Sequence, residues 1–221
     1  MREIDLLAEY PRSKRETLQR AQAKTEADRQ IARRFGQEFF DGERRHGYGG
    51  FTYHPRFWQP VVPAFREHFQ LKAGDILLDA GCAKGFMLHD FAELIPGLQV
   101  AGIDISEYAI ENVIEDMQPF CQVADARELS FADKTFDVVV SINTVHNLNR
   151  AECIVALQEI ERVARRGSFI TVDAYRTDAE KEAMLAWNLT GETDQNMKWK
   201  KNVSRASFCR RISKSRFLNG E

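Results

Sequence analysis

The sequence has few cysteines, and they lie far apart. Its four cysteines, Cys82, Cys121, Cys153 and Cys209, include no Cys-x-x-Cys pair. Closely spaced cysteines are the usual mark of zinc sites and of the disulfide frameworks of small secreted proteins. The sequence therefore predicts free thiols, and it predicts no metal site.

Long apolar runs and an excess of charge of one sign are also lacking. No stretch approaches the roughly 20 apolar residues that cross a bilayer, and no apolar core of a secretion signal occurs in the opening residues, MREIDLLAEYPRSKR. The 31 basic and 33 acidic side chains nearly cancel, so no overall field favours nucleic acid or an anionic membrane. These absences predict a cytoplasmic protein that binds neither membranes nor nucleic acid, and they leave its oligomeric state open.

What the chain does contain, from about residue 75 onward, is an alternation of short apolar stretches and amphipathic ones. Such alternation is typical of βαβ units, in which helices cover both faces of a parallel sheet. The predicted strands are 76–80, 100–104, 122–124, 136–142 and 168–173. The predicted helices are 85–94, 107–117, 151–165 and 178–189, with Ser106 and Asp178 as N-terminal caps. The fold class is therefore α/β, with a doubly wound and mostly parallel sheet.

Two helices are predicted before this alternation. Residues 14–35 form a polar helix, with Ser13 in a capping box and Gly36 as the stop signal, and residues 60–69 form a short one. Between them, glycines and aromatic rings crowd into residues 39–58, FFDGERRHGYGGFTYHPRFW, which we call the aromatic segment. Residues 44–53 of this segment suit a lid over bound ligands, and Tyr48 is a candidate catalytic residue there. A loop that only joins two parts of the chain is the alternative.

The most informative stretch is the first predicted strand with the turn that follows it, ILLDAGCAKG over residues 76–85. Asp79 places a carboxylate at the strand end, Gly81 permits a tight turn, and Gly85 lets the next helix begin close to the strand. A dinucleotide-binding turn would read G-x-G-x-x-G, whereas this one reads G-x-x-x-G with Ala83 inside it. The spacing disfavours an NAD-dependent oxidoreductase, which is kept as an alternative.

Two further acids follow the next two predicted strands. Asp104 ends the second strand, where a carboxylate can accept both ribose hydroxyls of an adenosine ligand. Asp125 follows the third strand, where its carboxylate and the N–H of Ala126 could read the adenine ring. Because ligands of open α/β sheets bind at the carboxyl ends of the strands, three acids at successive strand ends predict an adenosine-containing ligand.

The motifs DAGCAKG, GIDIS, VADARELSF and FDVVVSINTVHNL resemble the successive motifs of class I S-adenosylmethionine-dependent methyltransferases of the small-molecule type. The resemblance covers about residues 75–173 and implies S-adenosyl-L-methionine as the cofactor. It implies a methionine site of Asp79, Gly81, Ala83 and Gly85, a ribose site of Asp104 and Ile105, and an adenine site of Asp125 and Ala126. It further implies that the stretch from Asn143 to Asn147 meets both the cofactor and the acceptor.

The resemblance predicts an enzyme that methylates a small-molecule acceptor, with a sugar-like compound as one candidate. His146 is the candidate general base, because an unperturbed imidazole has a pKa of about 6.5. A structural role for His146 in packing the cofactor is the alternative. A non-catalytic module that binds the adenosyl cofactor also stays open, whereas NTVH after the fourth strand differs from the Asn-Pro-Pro-aromatic motif of nucleic-acid methyltransferases.

The end of the chain departs from the family pattern. Sheets of this family close with an antiparallel strand pair, and no such pair is visible after Trp199, where the chain reads KKNVSRASFCRRISKSRFLNGE with its many basic residues. We therefore predict three parts. These are a helical and lid segment over 1–72, a cofactor-binding methyltransferase domain over 73–198, and a basic, disordered tail over 199–221 that leaves the fifth strand as an edge.

Overall fold

The structure, a computed structural model, describes residues 4–11, 24–173, 175, 177–192 and 206–211. The strands are β1 (Ile76–Ala80), β2 (Gln99–Asp104), β3 (Cys121–Val123), β4 (Phe136–Ile142), β5 (Ala164–Asp173) and β6 (Ala206–Arg211). The α-helices are α1 (Glu26–Ala32), α2 (Gln37–Phe40), α3 (Val62–Phe69), α4 (Phe86–Leu94), α5 (Glu107–Glu111), α6 (Arg150–Val163) and α7 (Asp178–Trp187). Two 3-10 helices are η1 (Glu115–Phe120) and η2 (Val145–Asn147).

The strands form one sheet in the order β3-β2-β1-β4-β5-β6, and every neighbouring pair is parallel. β1 lies between β2 and β4, with Asp79 opposite Gly102 on one side and Val140 on the other. The order of the strands along the chain therefore reverses at β1, and ligands of open α/β sheets bind at such a switch point. The predicted doubly wound α/β fold is confirmed.

Apolar layers cover both faces of the sheet. On one face, the ring of Phe65 from α3 lies 4.8 Å from that of Phe169 in β5 and 5.5 Å from that of Phe91 in α4. On the other face, Leu157 and Ile160 of α6 pack in a second buried cluster. Both faces of the central strands are thus buried, as the continuous apolar runs predicted.

Several predicted element ends are shifted for local reasons. The predicted helix 107–117 is interrupted after α5, because the N–H of Ile114 donates to the carbonyl of Lys84 and takes the chain out of helical geometry. β5 begins at Ala164, inside the region predicted as helix, and Arg165 there pairs with Asp137 of β4 at 3.0 Å.

No helix within the described ranges is both long and apolar enough to cross a membrane.

The predicted helix caps also need correction. The cap of α7 is Thr177 rather than Asp178, because the Thr177 hydroxyl accepts from the N–H of Glu180. Ser106 does cap α5, as predicted. Helix α1 ends at Ala32 and does not reach Gly36, because Phe35 adopts a left-handed backbone with φ of 49°. The first half of the predicted helix 14–35, with Ser13, lies outside the described residues.

The sheet continues beyond β5, contrary to the sequence-based expectation. Residues 206–211 form β6 and pair in parallel with β5, so the prediction of a disordered tail is wrong at these positions, and β5 is not the edge strand. The prediction relied on the lack of apolar alternation in this stretch. A strand does not require that pattern here, since the hydrogen bonds between β5 and β6 join main-chain groups that β5 would otherwise leave unpaired. The family's antiparallel strand pair is not found among the residues that the structure describes.

Replacing Phe169 with alanine is expected to lower the free energy of unfolding by about 3–5 kcal/mol, because it opens a cavity between the sheet and α3. Urea unfolding followed by circular dichroism measures the change. Leu185→Ala is the matched control, since the Leu185 side chain is 50 % exposed and its loss should cost little. Equal effects of the two substitutions would contradict the described packing.

Candidate functional site

The turn at residues 81–85 joins β1 to α4, and we call it the cofactor loop. The N–H groups of Gly81 and Cys82 both donate to the carbonyl of Ile103 in β2, at 2.8 and 2.9 Å. Gly81 has φ of 104°, and a Cβ there would lie 2.0 Å from the Thr144 hydroxyl oxygen. Only glycine therefore fits, and the loop contacts the segment after β4 directly.

Ala83 and Gly85 shape the rest of the cofactor loop. Ala83 adopts a left-handed backbone with φ of 49°, and its N–H donates to Asp104 Oδ2 at 2.8 Å. That bond helps to hold a conformation that alanine rarely adopts. Gly85 has φ of 75°, and a Cβ there would lie 3.2 Å from Met117 and Val113. The loop is thus fixed by hydrogen bonds and by close packing.

Asp79 contributes a buried carboxylate at the end of β1. Its side chain is 3 % exposed, and its Oδ1 has no hydrogen-bond partner among the described residues. Burial, followed by the neighbouring Cys121 and Asp104, raises the pKa of the Asp79 carboxyl well above its ordinary value. An unpartnered buried carboxyl costs free energy, and a cationic group placed beside it would offset that cost.

Asp104 lies at the end of the neighbouring strand β2. Its Oδ1 accepts from the N–H of Ser106 at 2.9 Å, and its Oδ2 accepts from Ala83. Burial raises the pKa of this carboxyl and outweighs the main-chain donors that lower it. Each carboxylate oxygen can accept a further hydrogen bond. The next residue, Ile105, is 54 % exposed, so an apolar surface adjoins this carboxylate.

Asp125 follows β3 and is held by a residue that the sequence analysis did not single out. The Arg127 guanidinium donates to both oxygens of Asp125 and also to Glu152 of α6. The hydrogen bonds from Arg127 lower the pKa of the Asp125 carboxyl against the opposing effect of burial. Within the described ranges, the N–H of Ala126 has no acceptor. The carboxylate is therefore fixed by an ion pair, while this neighbouring donor stays available.

Asn143 and His146 lie in the segment after β4. Asn143 has φ of 55°; its N–H donates to the Thr171 hydroxyl at 2.8 Å, and that hydroxyl donates back to Asn143 Oδ1 at 3.0 Å. This pairing ties Asn143 to β5. His146 is buried in η2, and its carbonyl accepts from the N–H of Glu192 at 3.1 Å. The chain beyond α7 thus passes beside the candidate base.

The aromatic segment is joined to the cofactor loop by three polar side chains. Asp41 Oδ2 accepts from Lys84 Nζ and from the Tyr108 hydroxyl, each at 2.6 Å, and Asp41 Oδ1 accepts from the N–H of Phe51. Lys84 belongs to the cofactor loop and is buried. Burial alone would raise the pKa of the Asp41 carboxyl, but the donors Lys84, Tyr108 and Phe51 outweigh it and hold the pKa below its ordinary value.

Tyr48 reaches the same loop through a chain of rings. Its ring centroid lies 4.4 Å from that of Phe51, which lies 5.0 Å from that of Phe86, the first residue of α4. Tyr48 is 42 % exposed. Arg44 donates to the carbonyls of Gly47 and Tyr48 within its own segment.

The structure thus brings together most of the residues that the sequence indicated. Asp79 and Asp104 adjoin the cofactor loop, and Thr144 connects the loop to the segment of Asn143 and His146. Tyr48 is separated from α4 by one intervening ring. The residues that sequence reasoning missed are Asp41, Lys84, Tyr108, Arg127 and Thr144. Lys84, Arg127 and Thr144 lay inside quoted motifs, whereas no sequence pattern pointed to Asp41.

The chain is similar to known methyltransferases. Residues 78–172 match the family model described as a methyltransferase domain. The chain is 33 % identical over 129 residues to the tRNA (carboxymethyluridine(34)-5-O)-methyltransferase of Arabidopsis thaliana, a match that covers 57 % of this chain and 30 % of that protein. It is 32 % identical over 127 residues to the demethylmenaquinone methyltransferase of Symbiobacterium thermophilum, with 53 % and 49 % covered. The chain therefore spans less than half the length of these two curated relatives.

Among solved structures, the chain is similar to a SAM-dependent methyltransferase from Aquifex aeolicus, with 24 % identity and a TM-score of 0.40 over 47 % of this chain and 58 % of that one. The match of residues 78–172 to the methyltransferase-domain model bears out the predicted resemblance to S-adenosylmethionine-dependent methyltransferases and the implied cofactor, S-adenosyl-L-methionine. The residues present fit this cofactor. The unpartnered Asp79 carboxyl suits its ammonium group, and the spare acceptor capacity of Asp104 suits its ribose hydroxyls.

The attachment of the aromatic segment should depend on pH through Asp41. The folded pKa of Asp41 lies below the ordinary value of 3.8, so its ionised form contributes stability that is present above that pH and is lost as the pH falls through the folded pKa. At pH 6, the Asp41→Asn variant should therefore unfold at a lower urea concentration than the parent chain. The difference between the two urea midpoints should narrow as the pH falls below 3.8. A difference in urea midpoint that stays constant down to about pH 3 would contradict the assigned ionisation.

Proposed function

We propose that this protein transfers a methyl group from S-adenosyl-L-methionine to a small-molecule acceptor, with His146 as the general base. The observation that carries the proposal is the placement of Asp79 and Asp104 at adjacent strand ends around the cofactor loop. The buried Asp79 carboxyl with its unpartnered oxygen has no structural partner that explains it among the described residues. The ammonium group of the bound cofactor would supply that partner.

The cofactor, when bound, supplies a sulfonium-activated methyl group, so the protein has chiefly to orient the reactants and to remove a proton from the acceptor. Asp79 holds the ammonium end, and Asp104 holds the ribose with the exposed apolar surface of Ile105 beside it. The N–H of Ala126 offers a donor to the adenine ring, and the Arg127 ion pair keeps Asp125 beside it. Asn143 lines the site from the loop after β4.

His146 is proposed as the base because it lies in η2, two residues beyond Thr144, which contacts the cofactor loop at Gly81. Its burial would limit the access of water to an imidazole that takes the acceptor's proton. Tyr48 is proposed to contact the acceptor from the aromatic segment, acting as a lid. Exposed aromatic faces suit sugar-like acceptors, since rings stack on the apolar faces of sugars.

Radiolabelled S-adenosylmethionine tests this function directly. The purified chain is incubated with methyl-labelled cofactor and with separate fractions of a cell extract that contain small molecules, RNA or protein. The proposal expects label in the small-molecule fraction alone. Label in the RNA fraction would contradict the acceptor class, and cofactor binding with no transfer to any fraction would indicate a non-catalytic module.

Asp104→Asn is expected to weaken S-adenosylhomocysteine binding at least about tenfold, since hydrogen bonds to a charged group contribute about 1.5–3 kcal/mol. Isothermal titration calorimetry measures the dissociation constant. Glu111→Gln, an exposed acid on α5, is the matched control and should bind like the parent chain. Thermal unfolding of the Asp104 variant separates loss of binding from loss of folding. An unchanged dissociation constant would remove Asp104 from the ribose site.

His146→Gln is expected to slow methyl transfer by about 10²- to 10⁴-fold, the usual contribution of general base catalysis, with little change in cofactor affinity. The rate is measured under single-turnover conditions with an acceptor found in the fractionation, and affinity is measured by calorimetry. A large loss of cofactor affinity at an unchanged rate would assign His146 to cofactor packing instead.

A further inference from the structure

A cluster of charged side chains on α4 lies outside the residues assigned to the cofactor. His89, Asp90 and Glu93 each offer one ligand atom, and these three atoms lie within 4.8 Å of one another. Nitrogen and oxygen ligands bind a shared transition-metal ion at about 2.0–2.2 Å each, so small side-chain rotations would bring the three atoms onto one ion. The positions i, i+1 and i+4 of one helix therefore form a compact mixed set of ligands.

Asp90 supplies an independent reason to expect a ligand. Its side chain is fully buried; its Oδ1 accepts from the Tyr53 hydroxyl at 2.7 Å, and its Oδ2 has no hydrogen-bond partner among the described residues. A buried carboxylate oxygen without a partner is costly, and a cation in contact with the carboxylate offsets that cost.

The orientation of His89 matches that of a metal-binding imidazole. Its Nδ1 lies 2.6 Å from Asp116 Oδ2, and its Nε2 lies 3.8 Å from Glu93 Oε2. Histidines that bind metals usually donate their other ring N–H to a carboxylate, which fixes the tautomer and the ring position. Asp116 thus holds Nδ1 and leaves Nε2 directed toward the Glu93 carboxylate.

Charge and access also favour a cation. Three carboxylates, those of Asp90, Glu93 and Asp116, surround one imidazole, and the cluster therefore carries excess negative charge when they are ionised. Glu93 is further held by Gln59, whose Nε2 donates to Glu93 Oε2 at 3.2 Å. The Glu93 side chain is about half exposed, so an ion can enter from solvent.

We propose that His89 Nε2, Asp90 and Glu93 bind a divalent transition-metal ion, with Asp116 as the positioning residue for His89. The ligand set holds imidazole and carboxylate but no thiolate, which suits ions such as Mn²⁺, and water completes the coordination. This proposal departs from the sequence-based prediction of no metal site, which relied on the spacing of the cysteines and therefore bears only on thiolate sites. The metal site does not depend on the proposed methyl transfer, because none of its residues belongs to the cofactor site.

The test is titration of the full, tag-free chain with Mn²⁺ alone, followed by electron paramagnetic resonance of the free ion, with the thermal unfolding midpoint as a second readout. The chain is expected to bind one Mn²⁺ and to unfold at a higher temperature when loaded. His89→Gln and Glu93→Gln should each abolish that site, whereas Asp116→Asn should weaken it by about 10- to 100-fold. Asp90→Asn should also weaken it while keeping an acceptor for Tyr53.

Glu67→Gln, an exposed acid on α3, is the matched control and should bind Mn²⁺ like the parent chain. Absence of Mn²⁺ binding by the folded parent chain would overturn the proposal. Weak binding that the His89 and Glu93 substitutions leave unchanged would overturn it as well, because it would reflect scattered surface acids.

Discussion

The candidate site depends on one constraint, which is the parallel pairing of β1 with both β2 and β4. Because parallel strands end at the same edge of a sheet, this pairing brings Asp79 and Asp104 beside the cofactor loop. It also brings the segment after β4 against Gly81, where Thr144 leaves no room for a side chain. The buried Asp79 carboxyl, with its unpartnered oxygen, costs folding free energy there, and the packed layers on both faces of the sheet hold it in place.

The N-terminal part of the chain is fastened onto this edge by polar contacts and by rings. Asp41 joins the aromatic segment to Lys84 in the cofactor loop and to Tyr108 in α5. Farther along the segment, Tyr53 donates to Asp90 on α4. Burial, followed by this bond and the charge of Asp90, raises the pKa of Tyr53 to about 12. The cofactor loop and α4 are thus held from the sheet side and from the segment side, which limits the movement of the loop.

The extent to which the sequence predicts this structure differs between local and long-range features. β1 and β4 were predicted with their observed ends, because continuous apolar runs that end at polar residues mark buried parallel strands. The contact of Asp41 with Lys84 joins residues far apart in the chain and leaves no periodic signal. β6 lacks apolar alternation, and its pairing uses main-chain groups that any sequence provides. The early end of α5 follows from a tertiary hydrogen bond of Ile114, which helix propensity does not encode.

Hydrogen–deuterium exchange with and without S-adenosylhomocysteine tests the central claim, that the cofactor lies at the carboxyl edge of β1, β2 and β3. The account predicts slower exchange in peptides that cover residues 79–86, 104–106 and 125–127. It predicts no change in peptides near residues 95–98, at the opposite edge of the sheet. Protection confined to other regions, or no protection at a saturating ligand concentration, would contradict the assigned site.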